Sequence, residues 1–429
     1  MNPRVRKCPV RICLLAGLLF SMPLVAQNQN NYVITNLGLL GGSVAAAISI
    51  NAGGLVSGFS YLPGNQTEVA AIWQNGNAIP LGTLGGPNSA VQWPNHNARA
   101  VVGIAETAEI DPLNEDWSCA HGGFFFPSVD KHICLGFVWQ NGVMSPLPTL
   151  GGYNGYATGA NDAGQVVGWS ETTFVDPTCV FPQVLQFEAT LWGPNPGQVQ
   201  ALLPLEGDPD SAATAINNRG QVVGISGICE DAVGEMSAAH AVMWQNGQPI
   251  NLGDLGGPAA WNTPTAINNL GQVVGFALDA HSNFHAFLWT KAGGMQDLKT
   301  LPGDIFSFAL GINDHGQVVG QSIGANGSRA FLWQDGVMTD LNCLTVPSSL
   351  PLVFANDINN SGRITGQAHD SSAGNFPAFL AVPTPGVNHC SGSPAQATNS
   401  AASPQVVLPS NIRAMLRKSG VLSRLGIEQ

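Results

Sequence analysis

The stretch Ile216-Asn217-Asn218-Arg219-Gly220-Gln221-Val222-Val223-Gly224 decides the fold. Asn-x-x-Gly supplies the side-chain-bonded and left-handed positions of a tight reversal, and Val-Val opens a strand, so the phrase encodes a β-hairpin. It returns as 267–275, 312–320 and 160–168, drifts at 50–58 and 358–366, and survives in degraded form as Ala100-Val101-Val102-Gly103. The closing glycines stand at 58, 103, 168, 224, 275, 320 and 366, a spacing of 45 to 65 residues. Periods of that length belong to solenoids and propellers.

A second hairpin phrase alternates with the first: small-apolar-apolar-Trp-x-x-Gly, then an apolar stretch and Leu-Gly. Trp73, Trp139, Trp192, Trp244, Trp289 and Trp333 hold the same place in six copies, and Ala381 replaces the Trp in the seventh. Two hairpins make a four-strand unit, a-b-c-d, with apolar runs that imply burial on both faces. Radially packed propeller sheets bury their strands in this way. The last unit supplies a, b and c and then runs into Pro383. The segment from Tyr32 to Leu39, by contrast, reads as a d strand without a unit. Pairing the two removes an exposed edge. The expected fold is therefore all-β, a seven-bladed β-propeller of four-stranded blades, closed by the N-terminal strand completing the last blade.

In such a sheet the a-b and c-d turns share one face, and the b-c and d-a connections share the other. Nearly all length variation falls in the b-c loops at 104–135, 169–187 and 225–239, and long loops in a terse repeat are disproportionately functional. The loop residues Glu106, Glu109, Asp111, Glu115, Asp116, Glu230 and Asp231 are the ligand-binding candidates. The acids suit Ca²⁺ through carboxylate oxygens but lack the ordered ladder of an EF-hand, so no cofactor is assigned and a solvated acidic loop is the plainer reading. Cys119-Ala120-His121 and His132-Ile133-Cys134 support two readings: a four-ligand metal site using His121 and His132, or a disulfide between Cys119 and Cys134. Export and the even cysteine count favour the disulfide. Cys179 with Cys229 and Cys343 with Cys390 follow by sequence order alone, since six cysteines allow fifteen connectivities. Asn51, Asn161, Asn217, Asn268, Asn313 and Asn359 open Asx turns, and the repeated tryptophans serve inter-blade packing.

The compartment follows from the N-terminus. Arg4, Arg6, Lys7 and Arg11 precede an apolar run from Ile12 to Phe20, with a small residue at Ala26, the pattern of a secretory signal peptide over 1–26. The apolar run is too short for a confident span. The expected domains are the propeller over 27–382, a Pro/Ser/Ala/Gly-rich linker over 383–409, and a short basic amphipathic helix or frayed tail over 410–429. Between Asn31 and Val382 there are seven basic and 26 acidic residues, a net of −19, which repels nucleic acid and anionic lipid.

Phe284-His285-Ala286-Phe287-Leu288-Trp289, with the hairpin phrase at 267–275 and Leu252-Gly253-Asp254-Leu255-Gly256-Gly257, resembles the HAF family of bacterial extracellular repeat proteins. The resemblance covers about residues 31 to 382. It implies bacterial export and repeat architecture and brings no activity with it. The tripeptide drifts to His240-Ala241-Val242, Arg329-Ala330-Phe331 and Pro377-Ala378-Phe379 in other copies.

There is no His-Glu-x-x-His or phosphate loop. The function expected is that of a secreted, monomeric, non-enzymatic scaffold binding an extracellular protein or glycan through the b-c loops. The alternative is a carbohydrate-active or metal-dependent hydrolase using loop carboxylates.

Overall fold

The computed structural model describes residues 31–94, 100–115, 131–195, 197–229, 239–257, 261–325, 327–345 and 350–385. The signal-peptide segment and the residues from 386 onward lie outside that range. So do Asp116, Cys119, His121, Glu230, Asp231 and Cys390.

Strand β1 (Asn31–Gly38) precedes six complete sheets in chain order. Blade 1 is β2 (Ala45–Ile50), β3 (Val56–Tyr61), β4 (Glu68–Gln74) and β5 (Asn77–Pro80). Blade 2 is β6 (Gly85–Ala90), β7 (Val101–Ile110), β8 (His132–Gln140) and β9 (Val143–Pro146). Blade 3 is β10 (Gly155–Ala160), β11 (Val166–Val175), β12 (Leu185–Trp192) and β13 (Val199–Leu202). Blade 4 is β14 (Asp210–Ile216), β15 (Val222–Gly227), β16 (His240–Gln245) and β17 (Gln248–Asn251). Blade 5 is β18 (Asn262–Ile267), β19 (Val273–Leu278), β20 (Phe284–Thr290) and β21 (Gly294–Lys299). Blade 6 is β22 (Asp304–Ile312), β23 (Val318–Gly324), β24 (Gly327–Gln334) and β25 (Val337–Asp340). Blade 7 is β26 (Leu352–Ile358), β27 (Ile364–Ala368) and β28 (Ala378–Thr384), completed by β1 in the order β1-β28-β27-β26. All seven sheets are antiparallel and four-stranded, the propeller that the repeat predicts.

Closure is a strand pairing. Ile34 stands opposite Ala381 and Thr35 opposite Leu380, and the ladder runs on to Tyr32 opposite Pro383 and Asn31 opposite Thr384. The last strand therefore continues two residues past the boundary at 382. Side chains from blade 7 lock the seam to blade 1: Asn356 Nδ2 donates to Ala47 O, Gln367 Nε2 to Ala45 O, and Asp357 Oδ2 accepts from Ile50 N at 2.9 Å.

Each hairpin obeys its turn chemistry. Asn75 and Gly76 have φ of 53° and 79°, and Asn141 and Gly142 of 53° and 84°, the two positive values that a type I′ connection needs. Neighbouring blades bury one another through clusters such as Val167, Ala189 and Leu202 against Ala213, Ile216, Val242 and Trp244. Each such large side chain, fully buried, contributes about 1.5–3 kcal/mol.

Candidate interaction face

The two ends of the propeller are built differently. On the short-turn face, each repeated Asn bonds its own turn, and Asn161, Asn217, Asn268, Asn313 and Asn359 also bond the next blade. Asn217 Oδ1 accepts from Arg219 N and Gln221 N, and its Nδ2 donates to Asn268 O at 2.9 Å. The same inter-blade bond runs from Asn161 to Asn217, Asn268 to Asn313, Asn313 to Asn359, and Asn359 to Asn51. One residue further on, Asn218 Nδ2 donates to Asp162, and Asn269 and Asn360 donate to Asp314. Together they rim a cavity of about 230 Å³ floored by the isoleucines that end the inner strands. Asx turns explain only part of each Asn; the rest is a belt holding blades together.

The tryptophans are also structural. Trp192 Nε1 donates to Pro148 O and Trp244 Nε1 to Leu203 O, both at 2.7 Å, onto the segment leaving the preceding blade. In three copies the first residue of the His-Ala-Phe tripeptide, or its replacement, clamps an acid. His240 meets Asp208 at 2.8 Å, His285 meets Asp297 at 2.9 Å, and Arg329 meets Asp304 at 2.8 Å and Asp340 at 3.3 Å. All three stand opposite the second residue after the closing glycine, at Ser226, Ala277 and Ser322. The drift from His to Arg thus preserves a nitrogen partner for an acid.

On the loop face, β7 and β11 run ten residues each and carry a Glu three residues past the closing glycine. Glu106 Oε2 accepts from Asn88 N and Nδ2, both at 3.0 Å. Glu171 Oε2 accepts from Tyr153 N and Asn154 N. Both glutamates hold the Gly-Gly turn that enters their own blade, and a Cβ on Gly86 or Gly152 would stand about 2.5 Å from their Cβ atoms. Only glycine admits that approach.

Asn154 joins these acids to the neighbouring loop, its Nδ2 donating to Asp111 Oδ2 at 2.7 Å while its Oδ1 accepts from Cys134 N. Asp111 Oδ1 caps the turn at Leu113, and Glu115 Oε1 crosses to blade 3 to accept from Val184 N at 2.7 Å and Leu185 N at 2.8 Å. Burial, with Glu171 and Asp111 adding repulsion, pushes Glu115 up to about 8 against the two amides.

Further round, Phe187 N donates to Asp210 Oδ1. Asp210 Oδ2 and Asp176 Oδ2 have no amide or hydroxyl partner, and one proton between them makes the bond that unites them. Burial first, then that bond, raises Asp210 to about 9, whereas Asp176 is lowered: its bonds to Asp210 and Thr178 outweigh its burial.

Of the candidate acids, Glu106, Asp111 and Glu115 are therefore buried in the framework of the loops, and Glu109 alone among the described ones is exposed. What the loops expose instead is apolar. Phe174, Val175, Val180 and Phe181 on the blade 3 loop are 57–72% exposed, with Ile110 and Leu113 on the adjoining blade 2 loop. The blade 3 loop is fastened twice, by Glu115 and by the Cys179–Cys229 disulfide to blade 4. Sequence order therefore paired these two cysteines correctly. Cys134 and Cys343 are also disulfide-bonded; Cys119 and Cys390 lie outside the described residues. A bonded Cys134 withdraws the thiolate that a metal site at His132 needs. Among the described residues no group of His, Cys, Asp and Glu is arranged to hold a metal, and no helix is long and apolar enough to cross a membrane.

No protein-family model matches the chain, and no curated protein matches it. Solved structures do. Dipeptidyl peptidase 4 of Porphyromonas gingivalis is 10% identical over 76% of this chain and 51% of its own, with a TM-score of 0.36. TolB of Acinetobacter baumannii is 12% identical over 84% and 65%, with a TM-score of 0.37. A prolyl endopeptidase is 9% identical over 83% and 51%, with a TM-score of 0.42. This chain spans about half the length of the two peptidases. Likeness at this level carries no argument about activity.

Proposed function

We propose that this protein is a secreted, non-enzymatic interaction scaffold, and that it engages an extracellular protein or glycan with the b-c loops of blades 2 and 3. The observation that carries the reading is the pair Phe174 and Phe181, 69% and 72% exposed on a loop held by a disulfide and by Glu115. Large apolar side chains that cost solubility, on a loop already rigid before binding, suit an anchor that loses little entropy when covered. The buried acids favour this over the hydrolase reading. Glu106, Asp111 and Glu115 accept from backbone and side-chain amides rather than pointing into a shared cleft.

The test uses the full chain and its Phe174→Ser/Phe181→Ser variant on an immobilised panel of cell-wall polysaccharides and extracellular proteins. The wild type should retain at least one panel member. The variant should lose about tenfold in affinity for it, ~1.4 kcal/mol, with its Tm within about 2 °C, since exposed side chains add little stability. A wild type that retains nothing, or a variant that binds equally well, overturns the reading.

A further inference from the structure

We propose that the apolar tips of the blade 2 and blade 3 loops are the docking surface for this chain's own C-terminal segment, residues 410–429, and that an outside partner must displace it. The inference rests on the scaffold reading, because it names what regulates that surface.

Three observations point to this occupant. The first is chemical fit. The tips present Phe174, Val175, Val180, Phe181, Ile110 and Leu113, and the segment offers Ile412, Met415 and Leu416 at the i, i+3, i+4 spacing of one helix face. The second is charge. Glu109 is exposed on the blade 2 loop beside Ile110, and Glu206 is exposed on the β13–β14 connection of the same face. The segment carries Arg413, Arg417, Lys418 and Arg424 against Glu428 alone, on a chain whose body is otherwise strongly acidic. Complementary charge both steers and registers such an encounter. The third is reach. The last strand ends at Thr384. Residues 386–409 are 24 residues, and a chain of that length extends to ~80 Å. A domain of this size is only ~50 Å across, from a radius of gyration of ~20 Å. The segment can therefore arrive from its own tether, where the encounter is intramolecular and needs little intrinsic affinity.

The experiment places a benzophenone amino acid at position 415 of the full chain, irradiates dilute protein and maps the cross-links by mass spectrometry. Docking gives intramolecular links to residues 110–113 and 174–181, and the Phe174→Ser/Phe181→Ser background lowers their yield about tenfold. Links confined to other blades, links only between molecules, or no links overturn the proposal. A second arm compares the wild type with a full-length Arg413→Glu/Arg417→Glu/Lys418→Glu variant on the panel member bound above. A surface nine-tenths occupied by the tail binds an outside partner about tenfold more weakly than a vacated one. The triple variant should therefore bind that much more tightly. Equal binding by both proteins, still dependent on Phe174 and Phe181, overturns tail docking and leaves the scaffold reading standing. Cross-links at the tips with no panel member bound by either protein support tail docking and overturn the scaffold reading.

Discussion

Two sectors of the loop face meet their acidic residues in opposite ways. In blades 5 and 6 the acids are held by basic side chains: Asp297 lies 2.9 Å from His285 and 2.6 Å from the Lys299 ammonium, and Asp304 and Asp340 share Arg329. From blade 2 to blade 4, where only Asp208 has such a clamp in His240, Asp176 and Asp210 answer each other across a proton, and Glu115 faces two amides of the next blade with Glu171 and Asp111 nearby. A cation-paired carboxyl titrates low, whereas a carboxyl that is buried among other acids titrates high. One ring therefore carries two opposed pH dependences, and the sector whose acids repel is the one that projects the apolar tips. The disulfide sits there as well. A covalent tie is placed where the loop acids are held by amides and a shared proton.

The largest way to break this contrast is to remove the tie. Cys179 and Cys229 are 50 residues apart, and closing a loop of that length is worth about 4 kcal/mol in the chain-entropy model. A Cys179→Ser/Cys229→Ser variant should lose stability of that order in urea unfolding and show faster amide exchange over 172–185. The same loss spread evenly over all blades, or no loss, would contradict a sector-specific staple.

Next in size is Asp210. Its folded value of about 9 exceeds the unfolded carboxyl value, so the contribution of this group is full below about pH 4 and declines as pH rises toward 9. Glu115, at about 8, adds in the same direction. Asn88 and Asn154 occupy the matching position in blades 2 and 3, each accepting from the preceding blade's c strand. Asp210→Asn keeps the oxygen that accepts from Phe187 N and supplies a permanent donor to Asp176. At pH 8 it should stabilise the protein by roughly 2–3 kcal/mol, part of the ~1.4 kcal/mol per pKa unit being already recovered by the lowered Asp176. The gain should vanish near pH 4. A variant less stable at pH 8, or equally stabilised at both pH values, breaks the shared-proton account.

How much of this was legible in the sequence depends on whether a feature repeats. Asn217 and Gly220 recur with their spacing intact, so the blades, their number and the closing strand at 31–38 could be read directly. The face carrying the long loops could be read as well, from insertion lengths. The orientation of the acids on those loops could not, because Glu106 and Glu109 look alike in sequence. Glu106 falls on a buried position of β7 opposite Cys134, and Glu109 lies in the exposed end of the same strand, where the register with β8 shifts. One signal was available: Glu106 and Glu171 stand at the same offset from Gly103 and Gly168, and a repeated acid serves the repeat more readily than a ligand. Phe174 and Phe181 carried no such mark, since an aromatic in a strand-rich chain reads as core. The pairing of Asp176 with Asp210 is a contact between blades, which no local pattern encodes.

The smallest effect tests the cationic sector. Burial alone would raise Asp297, but its bonds to His285 and Lys299 outweigh it and hold the carboxyl at about 2. A depressed carboxyl contributes stability above its unfolded value near pH 4 and surrenders it as pH falls through 2. The pair is partly open to solvent, with Lys299 73% exposed, so screening reduces its worth to about 1 kcal/mol. Asp297→Asn should therefore cost about that much at pH 6 and nothing at pH 2, the reverse of the pH trend for Asp210→Asn. His285→Arg should retain most of the clamp, because blade 6 already uses Arg329 at the matching place with Asp340 as its d-strand partner. Thermal unfolding of the three proteins from pH 2 to 8 measures both claims. If Asp297→Asn and Asp210→Asn respond to pH with the same sign, the two sectors are not electrostatically distinct, and the placement of the disulfide needs another cause.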